Sequence, residues 1–192
     1  STSAIMLVVA AVVVAAVYYL VRSQRRTPDH HEFLLPNGRK PQRIAVIGVW
    51  GSGKSTFARS VAQTIRCEFI EVDDILWLPN WKRRDRSEVF HRLRSLASHE
   101  QWVSTCTIGH TYHSALWERA DTIIWLDTGF LRTWYRFVKR LIFEWWSRKP
   151  VCGGNYITKC LVVQDGLPAF VRNYIRHKYQ YDALFKLFHR AW

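Results

Sequence analysis

The stretch from Arg43 to Ile65 restricts what this chain can fold into more than any other part of it. Arg43 to Gly48 (RIAVIG) is a short β-branched run that ends in glycine, and TFARSVAQTI then places Phe57, Val61 and Ile65 at helical spacing. A strand is followed by a helix. Between them, Gly48-Val49-Trp50-Gly51-Ser52-Gly53-Lys54-Ser55 matches G-x-x-x-x-G-K-S in full, in the strand-to-helix setting that the pattern requires. Glycines there let successive backbone N–H groups turn inward around a phosphate, and the positive end of the following helix dipole points at the same place. Gly48, Gly51, Ser52 and Gly53 are expected to form the cradle, and Lys54 to reach the β and γ phosphates. Ser55 supplies a hydroxyl for Mg²⁺, and Thr56 is placed for the α phosphate or for the helix cap. A chance glycine turn leaves the register of Lys and Ser unexplained.

Composition sets the bounds around that motif. The chain has 192 residues, enough for one domain and an appendage, and 48% are hydrophobic and 15% aromatic. Disordered and collagen-like classes are thereby excluded. Cys67, Cys106, Cys152 and Cys160 lie far apart with no C-x-x-C pair, which points to reduced, mostly buried thiols rather than zinc or disulfides. The net charge of +13 implies an anionic partner: nucleotide phosphates, nucleic acid or an acidic membrane surface.

Further strands and carboxylates follow. Glu68 to Val72 (EFIEV) reads as a second strand that delivers Asp73 and Asp74 to the carboxyl end of the sheet, where open α/β sheets bind ligands. These two carboxylates suit Mg²⁺, its water or an acceptor hydroxyl; the alternative is a cap on a helix through Ile75 to Leu78. In LWLPNWKRRDR, Trp77, Pro79 and Trp81 precede Lys82, Arg83, Arg84 and Arg86, either as an acceptor-binding arm or as packed Trp beside solvated charge. Residues 87 to 98 resume a helical period. Gln101 to Thr105 and Asp121 to Asp127 complete four visible strands of a doubly covered parallel sheet. Asp127 ends the last of them, placed for Mg²⁺ through water or for capping the next helix. His110 and His113 fall in a loop, as ligand contacts or as surface residues.

The ends of the chain differ in character. From Leu131 to Trp146 aromatic and basic residues alternate, and Arg132, Arg136 and Arg140 share one helix face. An arginine-rich lid over about 130–160 would stabilise charge on a transferring phosphoryl group; a solvated or membrane-facing surface is the alternative. Residues 167 to 190 suggest another helix, with no apolar run left for a fifth core strand. The domain then either continues beyond this sequence or closes its sheet differently. At the other end, the chain opens on Ser rather than Met, and Ala4 to Val21 is an unbroken apolar or Tyr run of 18 residues, close to the ~20 that span a bilayer. Arg22, Arg25 and Arg26 follow it, which predicts a transmembrane segment over 1–21 with the rest of the chain on the cytoplasmic side. A targeting segment is the other reading. Residues 22–42 read as a linker, leaving 43–192 as the domain.

Taken together, RIAVIGVWGSGKSTFARSVA, the Asp before WLPNW, then QWV, WERADTIIWLD, RFVKR and CGGN resemble the DNA topology modulation protein FlaR and related adenylate-kinase-like P-loop proteins, over about residues 43–182. The resemblance implies a three-layer α/β/α nucleoside-monophosphate-kinase core with strand order 2-3-1-4-5 and an ATP-dependent kinase activity. Where that family shows an Asp-Gly-Asn-Tyr run after the third strand, this chain reads Ser104-Thr105-Cys106-Thr107-Ile108. Asp73 or Asp74 is expected to supply the missing carboxylate.

The sequence therefore predicts a membrane-anchored P-loop phosphotransferase that uses ATP and Mg²⁺ on a small acceptor. Lys54, Asp73, Asp74, Arg132, Arg136 and Arg140 are its expected catalytic groups, and Ser55, Asp73 and Asp127 its metal-facing ones. A membrane-tethered nucleotide-binding regulator is the second reading, favoured by the missing carboxylate. A nucleic-acid binder using the basic aromatic surface is the third.

Overall fold

The computed structural model describes residues 38–106, 114–158, 170–177, 179 and 180. The expected membrane segment, most of the linker, His110, His113 and Cys160 lie outside them. No helix among the described residues is long and apolar enough to cross a membrane.

Four parallel strands form the sheet: β1 (Arg43–Ile47), β2 (Glu68–Glu71), β5 (Trp102–Cys106) and β6 (Thr122–Trp125), in the order β2-β5-β1-β6. Counting core strands alone, this is 2-3-1-4, the first four positions of the expected order. β1 and β5 lie between neighbours, and four of five residues in β1 and all five in β5 are buried, as a doubly covered strand demands. Asp121 fixes the lower edge of this sheet. Its Oδ2 accepts from the backbone N–H of Gln42 (3.0 Å) and of Arg43 (2.9 Å), so β1 and β6 start in register.

The alternation of β1 divides the core into two faces. Ile44 and Val46 point one way, with Val103, against Ala58 and Ala62 of α1 (Lys54–Ile65). Ala45 and Ile47 point the other way, toward Val89 and Leu93 of α3 (Arg86–Leu96) and Ala115 and Leu116 of α4 (Ser114–Trp117). Small residues one turn apart on α1 bring that helix close to the sheet, and its first residue is therefore held tightly beside the end of β1. Asp85 starts α3: its carboxylate accepts from the N–H groups of Ser87 and Glu88, at 2.8 Å and 3.4 Å.

Two departures from the sequence reading bear on the site. The second strand stops at Glu71, and α2 (Val72–Leu76) starts at once, so Asp73 and Asp74 lie in a helical first turn rather than at the strand end. Neither caps it; Glu71 is the N-cap residue and makes no side-chain cap bond. The segment after α2 folds into a small hairpin of β3 (Trp77–Leu78) and β4 (Lys82–Arg83). Its turn holds Asn80 and Trp81 at φ 62° and 55°. Trp77 and Trp81 meet edge to face at 5.5 Å, and the Arg83 guanidinium lies 5.1 Å over Trp77. Both tryptophans thus pack within the hairpin, while Lys82 and Arg83 stay exposed.

The last described elements are α5 (Phe130–Ser147) and a helix at 170–177. Phe170 is buried and stacks on Phe137 at 4.5 Å between ring centres, and Phe130 meets Tyr174 at 5.0 Å. Part of the aromatic content of the C-terminal third is therefore core.

Candidate functional site

The glycine loop connects β1 to α1, and its conformation explains its composition. Gly51 and Gly53 have φ of 78° and 93°, the left-handed region that costs a β-carbon residue about 1–2 kcal/mol. Space is equally restrictive. A Cβ on Gly48 would lie 2.6 Å from Ser52 Oγ, and one on Gly51 would lie 2.6 Å from the Thr133 carbonyl oxygen of α5. α5 thus lies directly on the loop, with Trp50 stacked on Phe137 at 6.2 Å. Arg136 extends this contact, since its Nη1 donates to the Ser52 carbonyl at 3.2 Å.

Inside the cradle, Ser52 is buried and its Oγ has no hydrogen-bond partner among the described residues. Lys54, the first residue of α1, is 9% exposed. Burial lowers its ammonium pKa, opposed by the Asp73 and Glu71 carboxylates, while the Arg140 charge lowers it further. A buried cation and an unpartnered buried hydroxyl at a helix N-terminus are complementary to a phosphate chain.

Glu71 is the site residue that motif reading missed. It pairs with Thr105 across the β2–β5 ladder, and Thr105 Oγ1 donates to Glu71 Oε1. The Ser55 hydroxyl lies close enough to the Glu71 carboxylate to favour its charged form. Burial raises the Glu71 pKa and Asp73 raises it further, whereas the Thr105 and Ser55 hydroxyls and the Lys54 charge pull it down. Thr105 of the third core strand therefore faces a carboxylate supplied by the strand beside it. A signal was present: an acidic residue near the carboxyl end of the run EFIEV, two positions before Asp73.

The other expected residues distribute as follows. Asp73 is close enough to act on Lys54, Glu71 and Cys152. Asp74 accepts from the Gly153 N–H at 3.1 Å. Thr56 is exposed on α1, and Asp127 is exposed between β6 and α5. Arg132, Arg136 and Arg140 lie in successive turns of α5; Arg136 meets the loop, and Arg140 Nε donates to Glu144 at 2.6 Å while its charge reaches Lys54. Cys106 and Cys152 have thiols pushed up to about 12, chiefly by burial, so neither is a ready nucleophile.

A second unexpected residue is Asn155, buried in the loop after α5. Its Oδ1 accepts from the Trp81 N–H at 2.7 Å, and its Nδ2 donates to the carbonyls of Leu78 (2.9 Å) and Cys152 (2.7 Å). Trp81 Nε1 donates to the Tyr156 carbonyl at 3.1 Å. The hairpin and the end of the α5 segment form one unit beside Asp73 and Asp74.

A family model described as an AAA domain matches residues 44–151, from β1 to the start of this loop. The chain belongs to that family. This AAA domain is a P-loop, kinase-like domain of three α/β layers with a parallel sheet. Among solved structures it is similar to a gluconokinase from Sinorhizobium meliloti 1021, at 27% identity over 52% of this chain and 65% of that one, with a TM-score of 0.41. A sugar kinase from Janibacter sp. HTCC2649 is 23% identical over 67% of this chain and 77% of that one, with a TM-score of 0.38. An uncharacterized protein from Eubacterium ventriosum ATCC 27560 is 16% identical over 50% and 60%, with a TM-score of 0.37. The AAA domain chain thus spans 65% of the length of the gluconokinase. No curated protein matches it.

Proposed function

We propose that this chain is an ATP- and Mg²⁺-dependent phosphotransferase acting on a small hydroxyl-bearing acceptor, tethered to a membrane through residues 4–21 with its domain on the cytoplasmic side. The observation that carries this reading is Lys54, buried at the head of α1 between the charges of Glu71 and Asp73. Ser55, with Glu71 and Thr105 behind it, fits a Mg²⁺ ion held between a hydroxyl and a hydrogen-bonded carboxylate. Mg²⁺ would neutralise charge between the β and γ phosphates.

The chain's own residues then divide the remaining tasks. Gly51, Ser52 and Gly53 present the phosphate cradle, and Thr56 lies three residues beyond it on α1. Lys54 with Arg136 and Arg140 balances charge that spreads over the γ-phosphoryl oxygens. Asp73 takes the proton of the acceptor hydroxyl as its oxygen bonds to the γ phosphorus and the bond to the β-phosphate oxygen breaks, releasing ADP. The hairpin Trp77–Arg83, fixed by Asn155, forms the acceptor side, and the 130–160 region covers the site. Membership of a P-loop, kinase-like AAA domain family supports this assignment of roles.

The second reading, a membrane-tethered nucleotide-binding regulator, is favoured by Thr105 standing where a carboxylate is usual. The test is ATP hydrolysis and phosphoryl transfer by the full chain with Mg²⁺, against sugars, polyols, nucleosides and nucleoside monophosphates, with Lys54→Ala in parallel. Acceptor-dependent ADP release that disappears in Lys54→Ala establishes the phosphotransferase. Tight ATP binding with no turnover on any acceptor establishes the regulator instead.

A further inference from the structure

The two halves of α5 differ in what they bury. Its first half presses Thr133 and Phe137 on the glycine loop and on Phe170. In its second half Leu141 is the side chain turned into the protein, yet the opposite face is also apolar. Ile142, Phe143, Trp145 and Trp146 are 52%, 61%, 42% and 81% exposed. At 100° per residue these four fall within one arc of about 160°, and with Leu141 the apolar arc reaches about 200°, leaving Arg140, Glu144 and Ser147 on the remaining side. A soluble surface rarely carries such a contiguous patch without a partner.

The rim of the patch gives the sign of that partner. Lys139 lies on the same face one turn earlier, and Arg148 and Lys149 follow the helix, all three exposed. The nearest acid on the helix, Glu144, is engaged by Arg140. Aliphatic and aromatic groups at the centre with bases at the edge are the composition of a helix lying in the headgroup boundary of an anionic bilayer. Stacking on nucleic acid would instead leave Ile142 and Phe143 without a complementary polar surface. The net charge of +13 acts in the same direction.

We propose that the second half of α5 is a membrane-surface site, in which Ile142, Phe143, Trp145 and Trp146 enter the headgroup boundary of an anionic bilayer and Lys139, Arg148 and Lys149 meet its phosphates. This site is separate from the phosphotransferase reading and stands without it. Binding the bilayer through α5 holds the helix that covers the glycine loop, so the membrane surface and the nucleotide site share one element.

Tryptophan fluorescence tests it in the full chain, because all ten tryptophans lie at or beyond Trp50 and the apolar N-terminal run contains none. The protein is reconstituted into phosphatidylcholine vesicles with or without phosphatidylglycerol, using acyl chains brominated near the headgroup as quencher. Quenching is expected in the anionic vesicles, with less in the neutral ones and in high salt. Trp145→Ser/Trp146→Ser is expected to lose most of it. Lys139→Glu/Lys149→Glu, which keeps every tryptophan, is expected to lose at least half. Near-ultraviolet circular dichroism verifies the fold of both variants. Equal quenching in wild type and both variants, or in neutral and anionic vesicles, overturns the proposal. It is also overturned if the variants retain vesicle quenching but lose binding to a single-stranded oligonucleotide.

Discussion

Glu71 and Thr105 are partners across the β2–β5 ladder, and the hydroxyl of one donates to the carboxylate of the other. That pair lets the third core strand support a carboxylate held by its neighbour, close to Ser55. Glu71→Gln keeps the shape and the acceptor oxygen but removes the charge. In the phosphotransferase reading, the Mg²⁺ concentration needed for half-maximal nucleotide turnover rises roughly 10–100-fold, the usual effect of losing a partner behind a metal ligand. Unchanged Mg²⁺ dependence would remove Glu71 from the metal site.

The same residue makes a pH prediction. Its folded pKa lies above the ordinary Glu value, chiefly through burial. Between those two values the native protein holds a proton that the unfolded chain has released, so this group's contribution to stability falls as pH rises through the window. The whole penalty is present above the raised pKa. Nucleotide-free Glu71→Gln is therefore expected to be more stable than wild type at neutral pH, with the difference closing as pH falls toward about 4. Denaturant midpoints at a series of pH values check this, and a difference that widens in acid reverses the assignment.

Lys54→Ala isolates the phosphate contact. A hydrogen bond to a charged partner is worth about 1.5–3 kcal/mol, so ATP affinity is expected to drop roughly 10–100-fold by calorimetric titration. Retained affinity in this variant would place the nucleotide elsewhere.

How far the site can be read before folding depends on which residues are adjacent in sequence. The glycine loop, Lys54 and Ser55 are contiguous, so their spacing alone specifies a helix N-terminus around a phosphate, and the two central strands follow from runs buried on both faces. Glu71 is different. Its importance arises from pairing with Thr105, 34 positions away, and no local pattern encodes that register. A strand ending at Val72 would place Asp73 and Asp74 at the sheet edge; ending at Glu71, it places Glu71 there and folds the two Asp into a helical turn. Asn155 was illegible for the same reason, since its partners Leu78 and Trp81 lie more than 70 positions earlier. The tryptophans of the hairpin suit either stacking on a ligand or packing, and the fold packs them edge to face on one another.

Gly51→Ala tests the contact between α5 and the loop. The left-handed backbone alone costs about 1–2 kcal/mol, and the added Cβ would meet the Thr133 carbonyl oxygen at 2.6 Å, backbone that cannot rotate away. Relief requires α5 to lift from the loop. Expected are a lower thermal midpoint and a loss of nucleotide affinity together. Gly129→Ala serves as the control, because nothing lies within 4 Å of a Cβ there. Equal behaviour of the two variants would show that α5 is not seated on the loop in solution.

Asn155→Ala separates the acceptor side from the nucleotide side. Three hydrogen bonds disappear at once, and the Trp81 N–H and Leu78 carbonyl lose the partner that holds the hairpin. At about 0.5–1.5 kcal/mol per bond the fold loses roughly 2–4 kcal/mol. The glycine loop is untouched, because none of these bonds reaches it. Nucleotide affinity is therefore expected to stay within about threefold of wild type, a difference below 1 kcal/mol. Protease cleavage within 77–86, where Lys82, Arg83, Arg84 and Arg86 offer sites, is expected to accelerate. Once an acceptor is in hand, its KM should rise well ahead of that for ATP. A fall in ATP affinity matching the loss in acceptor binding would mean that the hairpin and the glycine loop act as one body, and that Asn155 supports both substrates rather than one.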